Sequence, residues 1–157
     1  MTASSPRYFE DFAVGQTFQS KTYEVTAERI KAFAAQFDPQ PFHLDEEAAK
    51  DTFFKGLAAS GWHTAAIMMR LLVDSDLRIV GGTIGGGVED LRWPRPLRPG
   101  DVVRMEAEVV ELRRSRTRPE LGIVKVRLTM LNQHNQPVQI STPALMVPTR
   151  DPAATAP

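Results

Sequence analysis

Residues 61–73, Gly-Trp-His-Thr-Ala-Ala-Ile-Met-Met-Arg-Leu-Leu-Val, constrain this chain more than any other stretch. On the helix that this run predicts, Trp62, Ala65, Ala66, Ile67, Met68, Met69, Leu71, Leu72 and Val73 go right round, interrupted only by His63, Thr64 and Arg70. A helix that is apolar on every side belongs inside a protein, so the rest of the chain has to cover it on most sides. Everything after it reads as strand. Val103, Met105, Ala107 and Val109 alternate with charged or polar residues, as do Val124, Val126, Leu128 and Met130, and period two marks half-buried antiparallel strands. Residues 78–84 and 88–93 read as strands flanking Gly85-Gly86-Gly87, where a bend or a close backbone approach is expected. Pro99-Gly100-Asp101 and Asn132-Gln133-His134-Asn135-Gln136 supply turns, the second leading into a last strand over residues 138–147. One apolar helix beside a large antiparallel sheet predicts an α+β domain in which the sheet curls around the helix.

Upstream, residues 16–25 read as a first strand. Thr26 is placed to cap a helix carrying Glu28 in its first turn, and Ile30, Phe33, Ala34 and Phe37 recur at i, i+3, i+4 and i+7 on one face. Pro39 and Pro41 then force the chain out of helical geometry, which predicts a stiff loop over residues 38–44. A short acidic helix over residues 45–51 follows.

A chain of 157 residues with 42% apolar and 24% charged content is one ordinary globular domain, expected over residues 1–150. Residues 151–157 have no side chains able to anchor them to a core and read as a disordered tail. Nineteen Lys and Arg balance nineteen Asp and Glu, which argues against a nucleic-acid partner. Lack of cysteine excludes a disulfide framework, a thiolate metal site and a cysteine nucleophile. The longest apolar run is too short to span a membrane, and the polar start shows no signal segment, so the expectation is a cytoplasmic protein without membrane contact. Charge is unevenly spread, however. Residues 38–54 hold five acids against one lysine, and residues 92–118 hold eight arginines against four acids.

Chemistry concentrates in Phe37-Asp38-Pro39-Gln40-Pro41-Phe42-His43-Leu44-Asp45. Here a carboxylate and an imidazole lie five residues apart on a segment stiffened by two prolines. Such a pair can hold a water molecule, deprotonate it as a general base and return a proton as a general acid. The plainer alternative is that Asp38 ends a helix and His43 fills a niche in the core. Gly81-Gly82-Thr83-Ile84-Gly85-Gly86-Gly87 is dense in glycine, but neither Lys-Ser nor Lys-Thr follows it, so it is not a phosphate loop.

Residues 32–45, then Ser60-Gly61 opening the apolar helix, then Arg95-Pro96-Leu97-Arg98-Pro99-Gly100-Asp101, resemble the MaoC-like dehydratases, which include the R-specific enoyl-CoA hydratases. The match runs over about residues 8–148 in the same order. What the resemblance implies is a single hotdog fold, with a curved antiparallel sheet wrapped around a long central helix, in a homodimer or higher homo-oligomer. It also implies reversible hydration of a trans-2-enoyl-CoA to an (R)-3-hydroxyacyl-CoA, with no metal and no organic cofactor. Asp38 and His43 would hold the catalytic water, and Gly61, at the helix start, would meet the thioester oxygen. Ser60, Trp62 and His63 are candidate substrate contacts beside it, although core packing is the preferred role for Trp62. Departures from the family pattern are Gln40 where many relatives have Asn, Ser60 where they have His, and Met69 where some present Ser. The eight arginines are a candidate rim for coenzyme A phosphates. Two other functions compete: a thioester hydrolase on a similar fold, and a noncatalytic acyl-CoA-binding module.

Overall fold

The computed structural model describes residues 4–152. A 3-10 turn (Phe9–Asp11) and two short strands, β1 (Thr17–Gln19) and β2 (Tyr23–Glu24), lead into α1 (Ala27–Phe37). Two single-turn helices follow, α2 (Pro41–Leu44) and α3 (Glu46–Ala49), and then the long α4 (Gly61–Val73). Four strands complete the fold: β3 (Ile84–Arg92), β4 (Val102–Arg114), β5 (Leu121–Leu131) and β6 (Pro137–Pro148). All the strands join one antiparallel sheet in the order β1-β4-β5-β6-β3, and β2 continues along β4 beyond β1. This is the single α+β hotdog arrangement.

Alternation is what curls the sheet over the helix. Val103, Met105, Ala107 and Val109 of β4, Val124, Val126, Leu128 and Met130 of β5, and Val138, Leu145 and Val147 of β6 all point inward. They close one core around Ile67, Met68, Leu71 and Leu72 of α4. Helix α1 lies at the rim of this core with Ile30 and Ala34 fully buried. Its Thr26 cap accepts from the Arg29 N–H at 3.2 Å. No helix among the described residues is long and apolar enough to cross a membrane.

Several local expectations are revised. The first strand is two pieces, because the Ser20 hydroxyl accepts from Met105 N–H at 2.8 Å and interrupts the ladder. Residues 78–83 form a loop, where Gly81 and Gly82 take positive φ. The glycine triplet lies inside β3, where it carries a register shift between Gly85 and Gly87. Pro41 does not extend the loop but begins α2, since a first helical position needs no N–H. Phe37 completes the spacing of the α1 apolar face, yet it is 65% exposed. The apolar helix is likewise open on one side: Trp62, Met69 and Val73 are 62%, 49% and 54% exposed. From residue 153 onward, the tail expected to be disordered lies outside the described residues.

Candidate active site

Asp38 ends α1, its N–H bonded to Ala34 O at 2.9 Å. His43 lies one short turn later in α2, and the two side chains converge, with Asp38 Oδ2 3.4 Å from His43 Nε2. His43 is buried, whereas the Asp38 carboxylate keeps 20% of its surface open. The other ring nitrogen, Nδ1, lies 2.6 Å from Ala58 O. A carbonyl only accepts, so Nδ1 carries a hydrogen and Nε2 is the nitrogen turned toward Asp38. A carboxylate oxygen and a bare imidazole nitrogen are both acceptors. They need a hydrogen from elsewhere between them, either a proton on Nε2 or a water molecule that donates to both.

Gln40 sets the carboxylate. Its Nε2 donates to Asp38 Oδ1 at 2.6 Å, which leaves Oδ2 for His43. That hydrogen bond is the main reason the Asp38 pKa lies below the ordinary aspartate value. Burial pushes the other way, and the Ser60 hydroxyl and His43 add smaller lowering effects. Asp38 is therefore ionised at neutral pH.

The carbonyl that orients His43 is itself held from two sides. Ala58 N–H donates to Phe42 O at 3.1 Å, and Ala59 N–H donates to Leu97 O at 2.9 Å. The Arg98 guanidinium spans the preceding loop, donating to Gly56 O at 2.9 Å, to Leu57 O at 3.3 Å and to Phe54 O. Sequence reasoning placed Arg98 among rim arginines and missed this role; its position on a loop facing an apolar segment was the only signal. Other members of the proposed rim are engaged as well. Arg104 pairs with Glu106, Arg114 with Glu10 and Arg118 with Glu120.

Ser60 is fully buried at the N-cap of α4, where its hydroxyl accepts from Trp62 N–H at 3.3 Å. Its hydroxyl also lies near enough to Asp38 to help lower that carboxylate's pKa, so Gly61, the next residue, begins α4 beside the pair. Trp62 and His63 diverge from this point. Trp62 is exposed and meets Trp93 edge-on, ring centroids 5.5 Å apart, so it is not the core residue expected. His63 is buried and stacks on Phe33 at 4.8 Å and 8°. Its Nδ1 has no hydrogen-bond partner, and burial lowers its pKa. It lines a groove of about 610 Å³ with Lys21, Arg29 and Arg70. Met69 faces outward, 49% exposed. Among the described residues, no group of three or more His, Asp or Glu is arranged to hold a metal ion.

The arrangement is a carboxylate facing an imidazole, with the Ser60-capped start of α4 following in the chain. The sequence profile of the MaoC-like domain matches residues 11–131. A crystal structure of a MaoC-like dehydratase from Rhodospirillum rubrum superposes with a TM-score of 0.88 at 52% identity, covering 92% of this chain and 99% of that one. Among curated proteins, the uncharacterized protein YdeM of Bacillus subtilis is 36% identical over 126 residues, 79% of this chain and 86% of its own. A 3-hydroxybutyryl-CoA dehydratase of Methylorubrum extorquens is 34% identical over 116 residues, 73% of this chain and 71% of its own.

Proposed function

The chain belongs to the MaoC-like domain family, and from that membership we propose that it catalyses the reversible hydration of a trans-2-enoyl-CoA to the (R)-3-hydroxyacyl-CoA. The observation that carries this reading is the 3.4 Å approach of Asp38 Oδ2 to His43 Nε2, with the ring turned so that Nδ1 meets Ala58 O. A water that donates one hydrogen to each turns its lone pairs outward, toward a substrate carbon. In the hydration direction the water oxygen bonds to C3 and the C2–C3 π pair moves into the thioester as an enolate. The proton that water loses passes to Asp38, with His43 as its partner in positioning and proton transfer, and the pair returns a proton to C2, which restores the Asp38 carboxylate and completes the addition. Negative charge peaks on the thioester oxygen, where a preorganised donor lowers the barrier. Gly61 N–H is that donor in this reading, as one of the unpaired N–H groups at the positive end of α4.

Nothing in this sequence of steps calls for a metal or an organic cofactor; coenzyme A enters as part of the substrate. The protein acts as a cytoplasmic homodimer in the same reading, since α4 and β3 present an apolar surface that a second copy would cover. Support for the substrate class comes from the name of the Methylorubrum relative and from the intact Asp-x4-His segment.

The test is a spectrophotometric assay with crotonyl-CoA and longer or branched enoyl-CoAs. Hydration bleaches the conjugated enoyl thioester, whereas a thioesterase would release free thiol and a noncatalytic binding module would do neither. Asp38→Asn and His43→Gln are each expected to lower the hydration rate by about 10²–10⁴ with folding intact. Full activity in both variants would sink the mechanism.

A further inference from the structure

Gly61 is walled on one side. The place a Cβ would take at this position is filled by the Trp93 indole, with Cε2 2.8 Å away and Cδ2 and Cζ2 2.9 Å away. No side chain fits there without moving a ring, and the ring is pinned. Trp93 Nε1–H donates to Gln139 Oε1 at 2.8 Å, and Gln139 is only 2% exposed on β6. Swinging the indole away would leave that oxygen buried without a donor. Trp62 adds a second constraint, standing edge-on to the same ring at 82°.

Beside the pinned ring runs a cleft of about 380 Å³, lined by Phe53, Phe54, Gly61, Thr64, Trp93 and Arg95 among others, in which Arg95 is the single charged residue. Its size is at the small end for ligand sites. A coenzyme A arm, with amides and phosphates, would find one cation and little else to pair with there, and unpaired polar groups are costly to desolvate. A short hydrocarbon chain has no such requirement.

We propose that Trp93 is a specificity-determining residue: the cleft takes the acyl part of the substrate, and the indole pinned by Gln139 sets how large an acyl group fits beside Gly61. The inference rests on the hydratase reading above and adds the residue that selects among its substrates. Trp93 is not itself a participant in proton transfer.

The experiment compares kcat/KM for crotonyl-, hexenoyl- and octenoyl-CoA in the full chain and in Trp93→Ala, Trp93→Phe and Gln139→Leu, with thermal melts to establish folding. Wild type is expected to favour crotonyl-CoA. Trp93→Ala should raise the octenoyl-to-crotonyl ratio by about tenfold or more, the scale on which apolar pockets discriminate chain length. Trp93→Phe should give a smaller rise. Gln139→Leu, which frees the indole without removing it, should change the ratio in the same direction, and these two variants carry the test should the alanine variant fail to fold. An unchanged ratio in folded variants of an active enzyme overturns this inference alone. So does a uniform rise in KM for every thioester, accompanied by weaker inhibition by free coenzyme A, because that places the coenzyme arm in the cleft. A wild type that hydrates none of the three thioesters fails earlier, and takes the hydratase reading with it.

Discussion

Two hydrogen bonds, one at each end of the Asp38–His43 pair, decide what that pair can do. Ala58 O takes the Nδ1 hydrogen of His43, and Gln40 takes up one oxygen of Asp38. The second bond also holds the Asp38 pKa down, so the carboxylate stays in its basic form to lower pH than an ordinary aspartate. Removing it has a predictable sign. In Gln40→Ala the Asp38 pKa rises toward the ordinary value, and the acid limb of kcat/KM for crotonyl-CoA moves to higher pH; a limb that stays in place would belong to another group. His63 titrates in a different sense. Burial lowers its pKa, so below about pH 6.5 the unfolded chain binds the proton more readily than the folded one. The stability contributed by neutral His63 is present above that range and is lost as pH falls through it. Urea midpoints at pH 7.5 and pH 5.5 should therefore differ less in His63→Gln than in wild type. The spacing of Asp38 and His43 in the sequence announced the pair. Gln40 stood out there only as a departure from the family pattern, because a side-chain hydrogen bond two residues away depends on a backbone path that spacing does not describe.

Local elements position these groups through carbonyl contacts that no sequence periodicity records. The segment from Phe54 to Ser60 has no regular structure through most of its length, yet it presents Ala58 O to His43 and Ser60 to Asp38. Arg98 holds it by donating to three of its carbonyls, those of Phe54, Gly56 and Leu57. Truncating a partly buried charged donor leaves those acceptors unpaired, at about 1.5–3 kcal/mol for hydrogen bonds to a charged group. Arg98→Ala should accordingly lower stability by about that amount in denaturant unfolding, and should lower kcat more than it raises KM, since it loosens the His43 support rather than a substrate contact. Arg98→Lys should recover only part of either effect, because an ammonium lacks the planar fork that reaches several carbonyls together. Elements with strong internal signals came through clearly: α1 begins at its Thr26 cap, and α4 spans the whole of the apolar run. The stretch around Gly85-Gly86-Gly87 did not. Backbone pairing with β6 carries a single strand through it with a bulge, and the energy of that pairing lies in the partner strand.

Across the whole molecule, apolar side chains are left uncovered on α4 and on β3. Trp62, Met69 and Val73 line the open side of α4, and the edge strand β3 exposes Ile84 and Val88 at 53% and 58%. Exposed apolar side chains and an unpaired strand edge are each a ready surface for a second copy. The proposed homodimer should elute at twice the chain mass in size-exclusion chromatography with light scattering, and Met69→Glu combined with Val88→Lys should shift it toward monomer. A wild type that stays monomeric at high concentration would remove this expectation. That apolar residues go right round residues 61–73 was plain in the sequence, as was the alternation of β4 and β5, because burial periodicity is written one residue at a time. Which side of the helix this chain covers and which it leaves open, that Trp93 presses on Gly61, and that Arg98 holds the loop that supports His43 were decided only on folding. Each depends on residues dozens of positions apart meeting in space, and the free energy of such a contact belongs to the pair, with neither local sequence carrying it alone.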